Sequence, residues 1–180
     1  MNGIVRIKHI QDYKKVCYYS VCIDNEEEDV NDIYSLFDIF IKNHEKKNKK
    51  KLNHILAWLK EIGNKYGALP DLFRPEQKYG EAVGLPPNQT YKSPVYTEDG
   101  KKSPNNLRLY CHRLNNYVVF LFCGDLKTAD TPQNCPNVKN HFELANKLTQ
   151  VIDKAFKERE IIWINEDTDI DFTDDLIIYL

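Results

Sequence analysis

Residues 107–128 read LRLYCHRLNNYVVFLFCGDLKT, and this stretch decides the fold. Its pattern predicts two strands joined at Asn115-Asn116 and closed by a turn, Gly124-Asp125-Leu126-Lys127-Thr128. Successive strand side chains point to opposite sides, so Leu107, Leu109 and Cys111 share one face and Arg108, Tyr110 and His112 the other. The second strand, Tyr117 to Cys123, is apolar on both faces, which suits the centre of a sheet. The row of Arg, Tyr and His admits two readings. It is either an outward surface that binds phosphate and moves protons, beside a lysine leaving the central strand, or the solvated side of a half-exposed sheet.

Upstream, Val5 and Ile7 alternate with Arg6 and Lys8, and Val16 to Ile23 (VCYYSVCI) is rich in β-branched and aromatic residues, so both segments predict strands. An acidic turn, Asp24-Asn25-Glu26-Glu27-Glu28-Asp29, follows. Asp29 or Asn31 then caps a helix whose apolar stripe is Ile33, Leu36 or Phe37, Phe40 and Ile41. Residues 42–51 hold six lysines and one glutamate. They read either as a solvated connection between helices or as a phosphate-attracting patch. A second helix carries Leu52, Ile55, Leu56, Leu59 and Ile62 on one face and stops at Gly63 or Gly67. Two amphipathic helices with a short connection predict a helical hairpin.

Residues 68–106 hold six of the eight prolines, at 70, 75, 86, 87, 94 and 104. That density predicts an extended loop with one short strand near Lys78–Val83 and no central strand. Beyond the 107–128 stretch, Thr131 to Pro136 is a turn, and a long helix runs from about Val138 to Glu158 with Phe142, Ala145, Leu148, Ile152, Ala155 and Phe156 on its apolar face. Residues 161–164 (IIWI) and 176–180 (LIIYL) read as short strands around an acidic turn. The order of elements predicts an α+β fold: an antiparallel sheet with an N-terminal helical hairpin and a long C-terminal helix. Residues 1–160 form one domain with the proline-rich insertion at about 68–106, and 161–180 form an acidic, strand-like extension.

The 180 residues are 42% hydrophobic and 29% charged, with a mean hydropathy of -0.59, which predicts a soluble chain with a packed core. No apolar run approaches the roughly 20 residues that span a bilayer, and the first residues lack a signal-peptide core. Five cysteines with no CxxC spacing fit reduced thiols in the cytoplasm. Cys135 and His141 lack the ligand spacing of a zinc site, so no metal and no cofactor is expected. Net charge is -2. Residues 161–180 hold six acids and no lysine or arginine, so residues 1–160 carry 25 basic against 21 acidic side chains. The body is mildly basic and the tail acidic. The tail either folds over a basic surface or is a solvated end.

Arg108-Leu109-Tyr110-Cys111, the apolar run Val118 to Cys123, the turn Gly124 to Thr128 and the helix containing Ala145 together resemble the RelE/ParE superfamily of bacterial toxins, in the RelE-like and phage-derived HigB-like branch. The likeness spans roughly residues 16–158, and its specific part is 107–145. The chain is longer and more acidic than those toxins, and Thr128 stands where the family turn carries a second lysine. The resemblance implies the toxin of a type II toxin–antitoxin system. Its activity would be ribosome-dependent, metal-independent mRNA cleavage, with a cognate antitoxin, the ribosome and mRNA as partners.

Such cleavage needs a base for the ribose 2′-OH, cations for the phosphate and an acid for the leaving oxygen. Lys127, Arg108, Tyr110 and His112 are the expected catalytic residues, and Arg74, Lys78 and Arg113 the expected RNA-binding residues. Glu81 is a further candidate base. Each has a plainer role: a carboxylate pair for Arg108, cross-strand packing for Tyr110, exposure for His112. The alternative is a non-catalytic protein of the same scaffold that acts by binding alone, either on DNA gyrase, as ParE-like members do, or as an antitoxin-binding module.

Overall fold

A computed structural model describes residues 3–24, 34–76, 82–88 and 92–180. In chain order the elements are strands β1 (Ile4–Asp12) and β2 (Cys17–Asp24), helices α1 (Leu36–His44) and α2 (Lys49–Glu61), strands β3 (Arg74–Pro75), β4 (Val83–Leu85), β5 (Thr97–Glu98), β6 (Lys101–Lys102), β7 (Leu109–Arg113) and β8 (Val118–Leu121), helix α3 (Lys139–Lys157), and strands β9 (Ile161–Ile164), β10 (Asp169–Phe172) and β11 (Ile178–Tyr179). Seven strands make one sheet in the order β11-β1-β2-β8-β7-β4-β3, while β5–β6 and β9–β10 are separate hairpins.

This architecture overturns the predicted α+β class. Strands β2 and β8 run parallel, with Cys17 opposite Val118 and Tyr19 opposite Phe120, so the sheet is mixed. Two strands precede α1 and α2, so no helical hairpin heads the chain. The physical reason lies in the central strands, which are apolar on both faces and need cover on both. Val119 and Leu121 of β8 pack with Leu109 and Cys111 of β7 against Phe37, Phe40, Leu52, Ile55, Trp58 and Leu59 of α1 and α2. Val118 and Phe120 pack the other way with Tyr110, against Phe142, Ala145, Leu148 and Ile152 of α3. The result is a mixed α/β fold with helices on both faces of one sheet.

Local signals explain several boundaries. Ser35 caps α1: its hydroxyl accepts from the Asp38 N–H at 3.1 Å, and the Asp38 carboxylate accepts from the Ser35 N–H at 2.9 Å. The predicted caps, Asp29 and Asn31, lie outside the described residues. The α1–α2 connection contracts to residues 45–48, and Gly67, at φ +78°, ends the turn that follows α2. Asn115 closes the β7–β8 hairpin, its side-chain oxygen accepting from the N–H groups of Tyr117 and Val118 at 2.8 and 2.9 Å.

The proline-rich segment holds more structure than predicted. Strand β4 lies between β3 and β7, a place the proline density argued against. Pro86 follows β4 directly, so its missing N–H falls outside the ladder. Residues 161–180 are held by their apolar members: Ile161, Ile170 and Ile178 are buried with α3 and the sheet, and β11 pairs with β1. Their acids face outward, except that Asp169 accepts from the Tyr19 hydroxyl at 2.5 Å. No helix among the described residues is long and apolar enough to cross a membrane.

Candidate functional site

The turn after β8 does not leave the sheet. The Arg108 N–H donates to the Asp125 carbonyl at 3.0 Å and the Lys127 N–H to the Asn106 carbonyl at 2.8 Å. Residues 124–127 therefore lie beside residues 105–108 as a continuation of the β7–β8 pairing, which sets Arg108 and Lys127 next to each other. Both reach one carboxylate, that of Glu76, just past β3. Arg108 Nε donates to Glu76 Oε1 at 3.2 Å, and Lys127 Nζ donates to Oε2 at 2.8 Å. Arg108 Nη1 also donates to the carbonyls of Asn105 at 2.6 Å and Leu107 at 3.2 Å. The side chains are 8% (Arg108), 11% (Lys127) and 1% (Glu76) exposed.

The two cations thus converge, but on a buried acid instead of an open pocket. Burial pulls the Arg108 guanidinium below its ordinary range, against the opposing pull of Glu76. Gly84 on β4 makes room for this acid, since a Cβ there would stand 3.1 Å from Glu76 Oε1.

The face of β7 predicted to be outward is covered by α3. Tyr110 is fully buried, with its ring 5.2 Å from that of Phe142. Among the described residues its hydroxyl has no hydrogen-bond partner, and burial, with Glu76 nearby, drives its pKa well up. His112 is 8% exposed, and its Nε2 meets Asp153 of α3 at 2.7 Å. Neither of the two readings of this row describes it: the face is neither an open phosphate surface nor a solvated one. Replacing Tyr110 with Phe removes an unpaired buried hydroxyl, so it is expected to stabilise the fold by about 1 kcal/mol, measured as a higher urea midpoint.

The remaining sequence candidates separate. Arg113 donates through Nε to the Ala68 carbonyl at 2.5 Å and through Nη2 to Asn116 Oδ1 at 2.6 Å, tying the hairpin turn to the segment after α2. Arg74 donates to the carbonyls of Pro86 and Pro87 at 3.3 and 3.2 Å. Burial, then repulsion from Arg108, brings Arg74 down to about 10. Lys78 and Glu81 lie outside the described residues. Among those described, no group of three His, Cys, Asp or Glu side chains is placed to hold a metal ion.

Cys135 is fully buried and accepts from the Thr128 N–H at 3.3 Å. Burial works to raise this thiol. Hydrogen bonds from the Thr128 hydroxyl and from the backbone N–H groups of Thr128, Val138 and Asn137 outweigh it and bring the thiol to about 7. Here the sulfur anchors the turn at 126–128 to the start of α3.

Sequence reasoning missed a cleft of about 590 Å³ between α2 and the proline-rich segment. Trp58 and His54 of α2, Arg74, Tyr96, Lys102 and Asn105 are among its walls, together with four prolines. His54 is fixed there: Asn105 Nδ2 donates to its Nδ1 at 3.0 Å, so Nε2 carries the proton and faces the Pro94 carbonyl at 3.3 Å. The nearest signal was the proline cluster itself, since a loop of that length is a lid, a binding loop or an insertion.

Burial lowers the pKa of His54 below 6.5, against the Pro94 carbonyl, and burial also lowers that of His141 on α3. Below pH 6.5 the unfolded chain therefore binds protons that the folded chain refuses. Stability is expected to fall between pH 7.5 and 5.5, and less steeply in His54→Gln, as read by urea unfolding at both values.

No protein-family model, no curated protein and no solved structure matches the chain.

Proposed function

We propose that this chain is a toxin-class protein of a toxin–antitoxin pair that acts by binding a protein target in the cytoplasm, not by cutting RNA, and that a cognate antitoxin covers it. The resemblance of residues 107–145 to RelE/ParE toxins supports the class. One observation supports the mode: the two cations best suited to phosphate, Arg108 and Lys127, share the buried carboxylate of Glu76. The proton-moving candidates agree with it, since the Tyr110 hydroxyl is sealed under α3 and His112 is held by Asp153. Five cysteines, none of them in a disulfide, suit a reducing compartment.

The test is expression in a bacterial host together with a cleavage assay on purified ribosomes carrying mRNA. Binding alone predicts growth arrest, no ribosome-dependent cuts, and arrest retained in Lys127→Ala. Cuts made by the wild type and lost in Lys127→Ala would reverse the conclusion.

The convergence itself favours a second reading, the ribosome-dependent endoribonuclease. Two cations from different segments grip one pair of oxygens, as they would grip a phosphate. In that case Glu76 is an internal stand-in for substrate, and Glu76→Gln should raise cleavage by freeing both cations. An unchanged rate in a folded Glu76→Gln protein would remove this reading.

A further inference from the structure

We propose that the cleft between α2 and the proline-rich segment binds a mononucleotide, with Arg74 and Lys102 on its phosphate and the aromatic and proline walls around its base. The inference holds whether or not the protein acts as a toxin.

The charge comes first. Among the described residues no Asp or Glu lines the cleft, whereas Arg74, Lys92 and Lys102 do. Lys92 is partly engaged, with Asp71 at 3.6 Å. Arg74 is different. The carbonyls of Pro86 and Pro87 hold its Nε and Nη2, and among the described residues no carboxylate pairs with it. A guanidinium fork fixed by two carbonyls is pre-organised for an anion, because little further freedom is lost on binding. Its neighbours add to the demand: Arg108 and Lys127 share a single acid, so the region keeps a positive excess. Burial and Arg108 lower the pKa of Arg74 against the opposing pull of Glu76, and an anionic ligand would add to that pull.

The walls fix the rest of the ligand. Trp58 and Tyr96 are buried in the cleft wall, and the rings of Tyr96 and His54 lie 5.3 Å apart. His54 contributes a neutral imidazole, since its proton is already committed to Pro94. Four proline rings line the same cleft beside these aromatic side chains. Flat walls of this kind take a planar base by stacking, and a volume of about 590 Å³ falls in the range of small-molecule sites. Inorganic phosphate alone would leave those walls wet.

Isothermal titration calorimetry of the full chain with AMP, GMP, CMP and UMP tests this, with inorganic phosphate and adenosine as partial ligands. At least one mononucleotide should bind about tenfold more tightly than either partial ligand. Arg74→Gln should weaken that binding by about tenfold, and Lys102→Glu by about threefold or more. Lys102 is exposed on β6, so its variant remains decisive if Arg74→Gln fails to fold. Failure of all four mononucleotides to bind, equal affinity for phosphate alone, or unchanged binding in Lys102→Glu would each overturn the proposal.

Discussion

Glu76→Ala is expected to lower the unfolding free energy by about 3–5 kcal/mol. The loss exceeds what the ion pairs contribute on balance, because the substitution strands two cations. Arg108 and Lys127 are only 8% and 11% exposed at the side chain, so water replaces the lost carboxylate poorly. Arg108 retains the carbonyls of Asn105 and Leu107 on Nη1, but Nε loses its acceptor and the charge loses its counter-ion. Lys127→Met should cost less, since Glu76 keeps Arg108. The triple change Glu76→Leu, Arg108→Met, Lys127→Met removes all three charges and should recover most of the stability lost in Glu76→Ala. Urea unfolding curves with a shared slope distinguish these cases. A Glu76→Ala loss under about 1 kcal/mol would mean that the carboxylate is hydrated in solution.

Gly124→Ala is expected to be nearly as severe, for a steric reason. A Cβ on Gly124 would fall on the carbonyl oxygen of Arg108, with the carbonyl carbon at 2.7 Å and Leu109 Cα at 3.2 Å. These are backbone atoms, and they have nowhere to go. The Arg108 N–H is bonded to Asp125 and the Tyr110 N–H to Cys123, at 3.0 and 2.8 Å, and β4 holds the far side of β7. Relief requires parting the strand pair that carries both Arg108 and Lys127. A loss of about 3 kcal/mol corresponds to a fall of roughly 6–12 °C in Tm for a chain of this length. A fall under about 2 °C would show that the strand ends yield easily.

Strong local periodicity was readable. The apolar run of β8, the stripe of α3 and the amphipathic faces of α1 and α2 follow from residue spacing alone. What escaped was tertiary. Arg108, Tyr110 and His112 look like a solvated row because polar tips usually mark an outer face; Phe142 and Asp153 of α3 cover that row, and no local pattern in 107–113 points to them. The parallel contact of β2 with β8 leaves no short-range trace, so an antiparallel sheet was the natural inference. Glu76 is one acid among prolines and polar residues, and it gains meaning only when β3 sets it across from Arg108 and Lys127. The cleft was hidden for the same reason: prolines that forbid helices also build walls.

The parallel contact of β2 with β8 has a kinetic consequence. It joins Cys17 to Val118, so a nascent chain must release most of its length before the centre of the sheet can close. Until then the inner edge of β2 lacks the strand that pairs with Cys17, Tyr18 and Tyr19. Non-local closure of this kind slows folding and leaves sticky intermediates. Translation arrested before residue 118 should therefore yield a species that chaperones bind and proteases cut, and resistance should arrive late and all at once.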